Sequence, residues 1–143
     1  MSSEERGQWV YLVAIGLTYA AYVTIVFRQA TQTPIPDIDY IPTMLGAIGI
    51  GIALSIVGRI GAEIAGHVAE PSDSHEPDER DRDIGRFGEY VAGTVLGVGM
   101  VVPFVLTLAE VDYFWIANTM YFAFVLSALV GAVMKLVAYR RGI

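Results

Sequence analysis

The sequence predicts an all-α membrane protein of four transmembrane helices, built as two tandem helical hairpins that run parallel to each other. Two observations predict the spans: 55% of the 143 residues are hydrophobic, and they gather in uncharged blocks at residues 8–27, 40–58, 90–109 and 113–134. Each block supplies about the 20 residues with which a helix crosses ~30 Å of hydrocarbon. The spans must be helical, because the bilayer core holds no water to satisfy backbone amides and an open sheet edge would leave them unpaired. The third observation is an internal repeat. Ile38-Asp39-Tyr40 matches Val111-Asp112-Tyr113, and Ser55-Ile56-Val57-Gly58 matches Ala128-Leu129-Val130-Gly131, both at an offset of 73 residues. Glu5-Arg6 matches Glu79-Arg80 one residue out of step. Two spans per copy keep both copies in one orientation, so the pseudo-two-fold axis is expected along the membrane normal.

The first span follows Ser2 and Glu5, a serine and an acid three residues apart that resemble a capping box. Acidic Glu4 and Glu5 precede it, and the block is longer than the ~7–15 apolar residues of a signal peptide. A retained helix is expected, not a cleaved leader. Thr33-Pro34-Ile35-Pro36 favours an extended connection, after which Asp39 can cap the second span and Pro42 falls harmlessly in its first turn.

The second span carries small residues at Gly51, Ser55, Gly58, Ala62 and Ala65, three or four apart on one helix face. Pro71, Ser72, Ser74 and Pro77 then interrupt helical continuity. This divides the chain into a first hairpin at 1–66, a polar cytoplasmic linker at 67–83 and a second hairpin at 84–143. Asp78 and Asp81 repeat the capping pattern before the third span, which carries Gly93 and Gly97. Pro103 cannot donate to the carbonyl of Gly99, so a kink is expected there. Asp112 is positioned to cap the fourth span.

Orientation follows the cations. Arg6, Arg59, Arg80, Arg82, Arg86, Lys135, Arg140 and Arg141 fall on one side of the spans and Arg28 alone on the other. Lysine and arginine set topology, so both termini and the linker are expected in the cytoplasm of a multi-pass cell-membrane protein. Tyr40, Tyr113, Phe114 and Trp115 mark an outer aromatic belt, with Trp9, Tyr90 and Tyr139 near the inner one.

Net charge is −6, with one lysine against eight arginines. This opposes a polybasic patch for nucleic acid or anionic lipid, and direct nucleic-acid binding is not expected. The acidic, arginine-biased balance resembles that of haloarchaeal proteins. Without cysteine the chain has no disulfide, thiolate ligand or cysteine nucleophile. His67 and His75, with Glu70, Asp73 and Glu76, match no compact zinc spacing and read as part of a solvated linker. No phosphate-binding glycine loop, Ser/His/Asp set or paired buried carboxylates occurs, so neither an enzyme nor a cofactor is expected.

What remains are packing and polar faces. Gly51, Ser55, Gly58 and Ala62, and in the third span Gly93 and Gly97, let another backbone approach closely, a usual source of helix association in lipid. Tyr11, Thr18, Tyr22 and Asn118 can line a polar groove or bond to neighbouring helices. Glu63 and Lys135 fall at similar depth and can pair, with Glu89 able to join them.

Asp78-Glu79-Arg80-Asp81-Arg82, then Ile84, two spans and Lys135-Leu136-Val137-Ala138-Tyr139-Arg140-Arg141-Gly142, resembles a family of small uncharacterised prokaryotic membrane proteins. Many of these are encoded beside helix-turn-helix regulators. The resemblance covers the C-terminal half; the Pro-rich connection and Gly-rich second span depart from it. It implies a cytoplasmic regulator as a partner. The expected role is therefore a noncatalytic helix-bundle module that acts through self-association, a membrane-protein partner or that regulator. The rivals are a small channel or transporter for an ion or solute, and binding of lipid or carotenoid between helices.

Overall fold

A computed structural model describes residues 3–69 and 79–141. The described residues form α1 (Ser3–Ala30), a short 3-10 turn (Ile35–Asp37), α2 (Tyr40–Ala69), α3 (Glu79–Gly99), α4 (Val101–Leu108) and α5 (Tyr113–Arg141), with no strand among them. Four segments, Glu5–Ala30, Tyr40–Gly61, Glu79–Leu108 and Tyr113–Arg141, are long and apolar enough to cross a membrane.

The third of these is divided at Met100. The ladder runs up to it through Met100 N–H to the Leu96 carbonyl and resumes with Phe104 N–H to the Met100 carbonyl. Between them Pro103 has no N–H to give, which accounts for the break between α3 and α4.

The expected linker meets the described residues only at its two ends. Residues 67–69 continue α2 and residues 79–83 open α3, which leaves 70–78 outside the described residues. By polarity alone the charged run Glu79-Arg80-Asp81-Arg82-Asp83 reads as linker. Polarity does not prevent a helix, and the acids of a first turn are favoured by its dipole. The capping contributions expected from Ser2 and Asp78 also lie outside the described residues. Between α1 and α2, Pro34 is extended as expected, but Ile35-Pro36-Asp37 close a 3-10 turn through Asp37 N–H to the Pro34 carbonyl at 2.9 Å. Proline at the second position of that turn loses no bond by lacking an N–H.

In space the helices form a row. α2 packs on α1, α1 on α5, and α5 on α3 and α4, so α2 and the α3–α4 segment are the flanks. The fourth span is the most enclosed, and the third and second are the most exposed. Large apolar side chains such as Leu17, Phe27, Leu45, Val57, Val98 and Leu108 point outward, as lipid contact requires.

The buried core lies at the end of the bundle where the connections are. Tyr22 and Val26 from α1, Ile38 from the turn, and Phe114, Tyr121 and Val125 from α5 form one cluster. The Tyr121 ring meets Tyr19 at 5.3 Å and Tyr22 at 5.2 Å, both edge to face, and Tyr40 meets Phe114 the same way at 5.2 Å. Such pairs add about 0.5–1.5 kcal/mol beyond area burial.

Candidate helix-packing faces and polar cleft

The small face of α2 is used inside the chain. A Cβ added at Gly51 would stand 3.1 Å from the Thr18 hydroxyl of α1, and one at Gly58 would overlap Val10. Ser55 is buried between them and returns its hydroxyl to the Gly51 carbonyl at 2.7 Å. The absence of side chains thus sets the close approach of α1 and α2. The Ala62 side chain lies outside the described residues.

The third span behaves differently. A Cβ added at Gly93 or Gly97 would meet nothing within 4 Å, and both glycines sit on the exposed side of α3. The glycines that do meet α5 are Gly88 and Gly99, with Gly131 opposite. A Cβ on Gly99 would stand 3.0 Å from that of Ala123, one on Gly131 would stand 2.8 Å from that of Ala92, and one on Gly88 would overlap the Lys135 stem. Ser127 donates across this interface to the Ala92 carbonyl at 2.7 Å. Sequence reasoning missed this face. Its signal was present, since Gly88, Ala92 and Gly99 are four and seven residues apart. One helix carries two small faces, and spacing cannot choose between them.

The four predicted groove residues divide into two places. Tyr22, only 2% exposed, donates its hydroxyl to the Asn118 amide oxygen at 2.7 Å, and the Asn118 NH₂ donates to the Phe114 carbonyl at 2.8 Å. That polar pair is enclosed by the aromatic cluster. Thr18 returns its hydroxyl to the carbonyls of Ala14 at 2.8 Å and Ile15 at 3.1 Å. With Tyr11 it lines an open cleft further along α1.

Two cavities lie along that cleft, side by side. The first, about 280 Å³, lies at the arginine-rich end, where Gln8 and Tyr11 of α1, Arg59 of α2, Glu89 of α3 and Lys135 of α5 converge. The second, about 230 Å³, shares Tyr11 and Ala128 with it and continues past Ile15 and Phe124 to Thr18 and Gly51. Its walls are almost wholly apolar. The cleft ends toward the Tyr19–Tyr22–Tyr121 stack.

Lys135 reaches Glu89, with Nζ 3.7 Å from Oε1. The expected partner Glu63 has its side chain outside the described residues. Packing accounts for the contact observed: α5 lies on α3, and Gly88 leaves room for the Lys135 stem to pass. At the same end Arg140 stands 3.9 Å from Glu5 and lies over the Trp9 ring at 5.6 Å, tying α5 to the start of α1. No group of His, Cys, Asp and Glu suited to a metal occurs among the described residues, and the side chains of His67 and His75 lie outside them.

No family model, curated protein or solved structure matches the chain.

Proposed function

We propose that this chain is a noncatalytic membrane helix-bundle module that works by self-association, with α3 as the contact helix. The observation that carries this reading is the open space over Gly93 and Gly97, on the outward side of a flanking helix. In lipid there is little hydrophobic drive between apolar helices, and association relies on close backbone approach at small residues four apart. The Gly51, Ser55 and Gly58 face is already occupied by α1, whereas the Gly93–Gly97 face is open.

Sedimentation of the detergent-solubilised full chain tests it. The wild-type chain is expected to dimerise or assemble further, and Gly93→Ile with Gly97→Ile to shift it to monomer with helicity unchanged. A wild-type chain that is monomeric at all protein-to-detergent ratios, and that crosslinks to nothing in its native membrane, would overturn the reading. A different membrane protein or a cytoplasmic regulator recovered by that crosslinking would replace the second copy as partner.

The cation distribution supports placing both termini and residues 70–78 in the cytoplasm, since Arg59, Lys135, Arg140 and Arg141 gather at one end and Arg28 alone at the other. Duplication of one hairpin draws support from Gly58 and Gly131, equivalent in the repeat, which face α1 and α3, the opening helices of their own hairpins. The packing of α1 on α5, however, has no comparable contact between α3 and α2. A channel through a single chain is disfavoured by Tyr22, which is buried and bonded to Asn118 beyond the inner end of the cleft.

A further inference from the structure

We propose that the cleft between α1, α2 and α5 is a binding site for an anionic phospholipid, with the phosphodiester at Arg59 and Lys135 and one acyl chain along Ile15, Gly51 and Phe124. The inference rests on this cleft and is independent of the Gly93–Gly97 face.

The arrangement of charge is the first ground. Arg59 and Lys135 come from different helices and both line the same cavity of about 280 Å³, together with the polar ends of Gln8 and Tyr11. Each cation is led there over a glycine. The Arg59 stem passes Gly7 of α1, whose added Cβ would lie 3.9 Å from it, and the Lys135 stem occupies the space above Gly88. Long basic side chains with apolar stems and a charged head at the membrane boundary match the depth of a lipid headgroup. Among the described residues the acid lining this cavity is Glu89, whose side chain is 77% exposed and holds Lys135 at 3.7 Å, a contact that a phosphodiester can replace.

The second ground is what lies beneath. The adjoining cavity of about 230 Å³ shares Tyr11 and Ala128 with the first and continues between apolar walls to Thr18. Tyr11 and Thr18 are seven residues apart, so this groove follows about 10 Å of helix axis. Of the hydroxyl-bearing side chains along it, Tyr11, Thr18 and Tyr121, the Thr18 hydroxyl is already bonded to the backbone. A cationic mouth over an apolar groove fits an amphiphile with an anionic head. An acidic chain without a polybasic patch can still select such a lipid, because two cations in a cleft need no excess of positive charge elsewhere.

Native mass spectrometry of the full chain, purified with equimolar phosphatidylglycerol and phosphatidylcholine, tests the proposal. Phosphatidylglycerol is expected to be retained preferentially. Arg59→Gln with Lys135→Met should lower that retention by roughly 10- to 30-fold, from ~1 kcal/mol per cation. Glu89→Gln, at an exposed side chain, should raise it, and Ala128→Phe, which fills the junction of the two cavities, should abolish it. Equal retention of both lipids, or no change in the double variant with helicity intact, would overturn the proposal. So would inorganic phosphate that binds with the same affinity to the Ala128→Phe chain, since the site would then be one for free phosphate.

Discussion

The Tyr22 hydroxyl donates to the Asn118 amide oxygen at 2.7 Å, joining α1 to α5 inside an aromatic enclosure. Ninety-six residues separate the two in sequence. It is a polar link between the first hairpin and the second at the end where the core is best packed. Because the Asn118 NH₂ is separately bonded to the Phe114 carbonyl, Tyr22→Phe leaves one amide oxygen unpaired and removes nothing else. The expected loss is about 0.6–1.7 kcal/mol, the range of interhelical bonds in membranes. Unfolding by a denaturing detergent in mixed micelles, followed by circular dichroism, measures it. A cycle with Asn118→Ala should recover a coupling of similar size; zero coupling would mean that the two side chains are not bonded in the membrane.

The glycines of the two interfaces predict a contrast. A Cβ at Gly58 overlaps Val10, and one at Gly131 comes 2.8 Å from Ala92, so Gly58→Val and Gly131→Val should each destabilise the monomer by roughly 1–3 kcal/mol through overpacking. Gly93→Val has open space in front of it and should leave monomer stability within ~0.5 kcal/mol of wild type. Equal losses at all three positions in the same mixed micelles would show that α3 is rotated relative to this packing.

The contrast also marks what could be read without a structure. Four spans were legible because block length and the absence of charge are one-dimensional quantities, and the Asp112 cap and the break near Pro103 were legible because both are local. The azimuth of a helix is not. Gly93–Gly97 and Gly88–Ala92–Gly99 satisfy the same spacing rule on one helix, and only the position of α5 selects the second. Depth alone pairs Lys135 with Glu63 and lets Glu89 join them; the packing of α5 on α3 brings Glu89 to Lys135, while the Glu63 side chain lies outside the described residues. The central place of α5 was hidden because all four spans are similarly apolar.

Asp112 predicts a local effect at the start of α5. Its carboxylate accepts from the Phe114 N–H at 2.8 Å, satisfying one of the donors that a helix start leaves open. Asp112→Ala should cost about 0.5–2 kcal/mol, whereas Asp112→Asn should retain most of the cap. Hydrogen exchange of the first turn of α5 resolves the two. Faster exchange at Phe114 in the alanine variant alone is the expected result, and identical exchange in both would remove the cap from the account.

The residue that ends α4 predicts a gain. Glu110 has φ 52°, and Glu110 N–H to the Thr107 carbonyl and Val111 N–H to the Leu106 carbonyl close the helix in a Schellman arrangement. Glycine usually holds that left-handed position, because any Cβ there crowds the following carbonyl at a cost of roughly 1–2 kcal/mol. Glu110→Gly relieves this strain but adds freedom to the unfolded chain, so a net stabilisation of about 0.5–1 kcal/mol is expected. Glu110→Ala removes the same carboxylate while keeping the strain, which separates backbone conformation from charge. If alanine stabilised the chain as much as glycine in the mixed-micelle titration, the gain would belong to the lost carboxylate, and the left-handed turn would carry no strain.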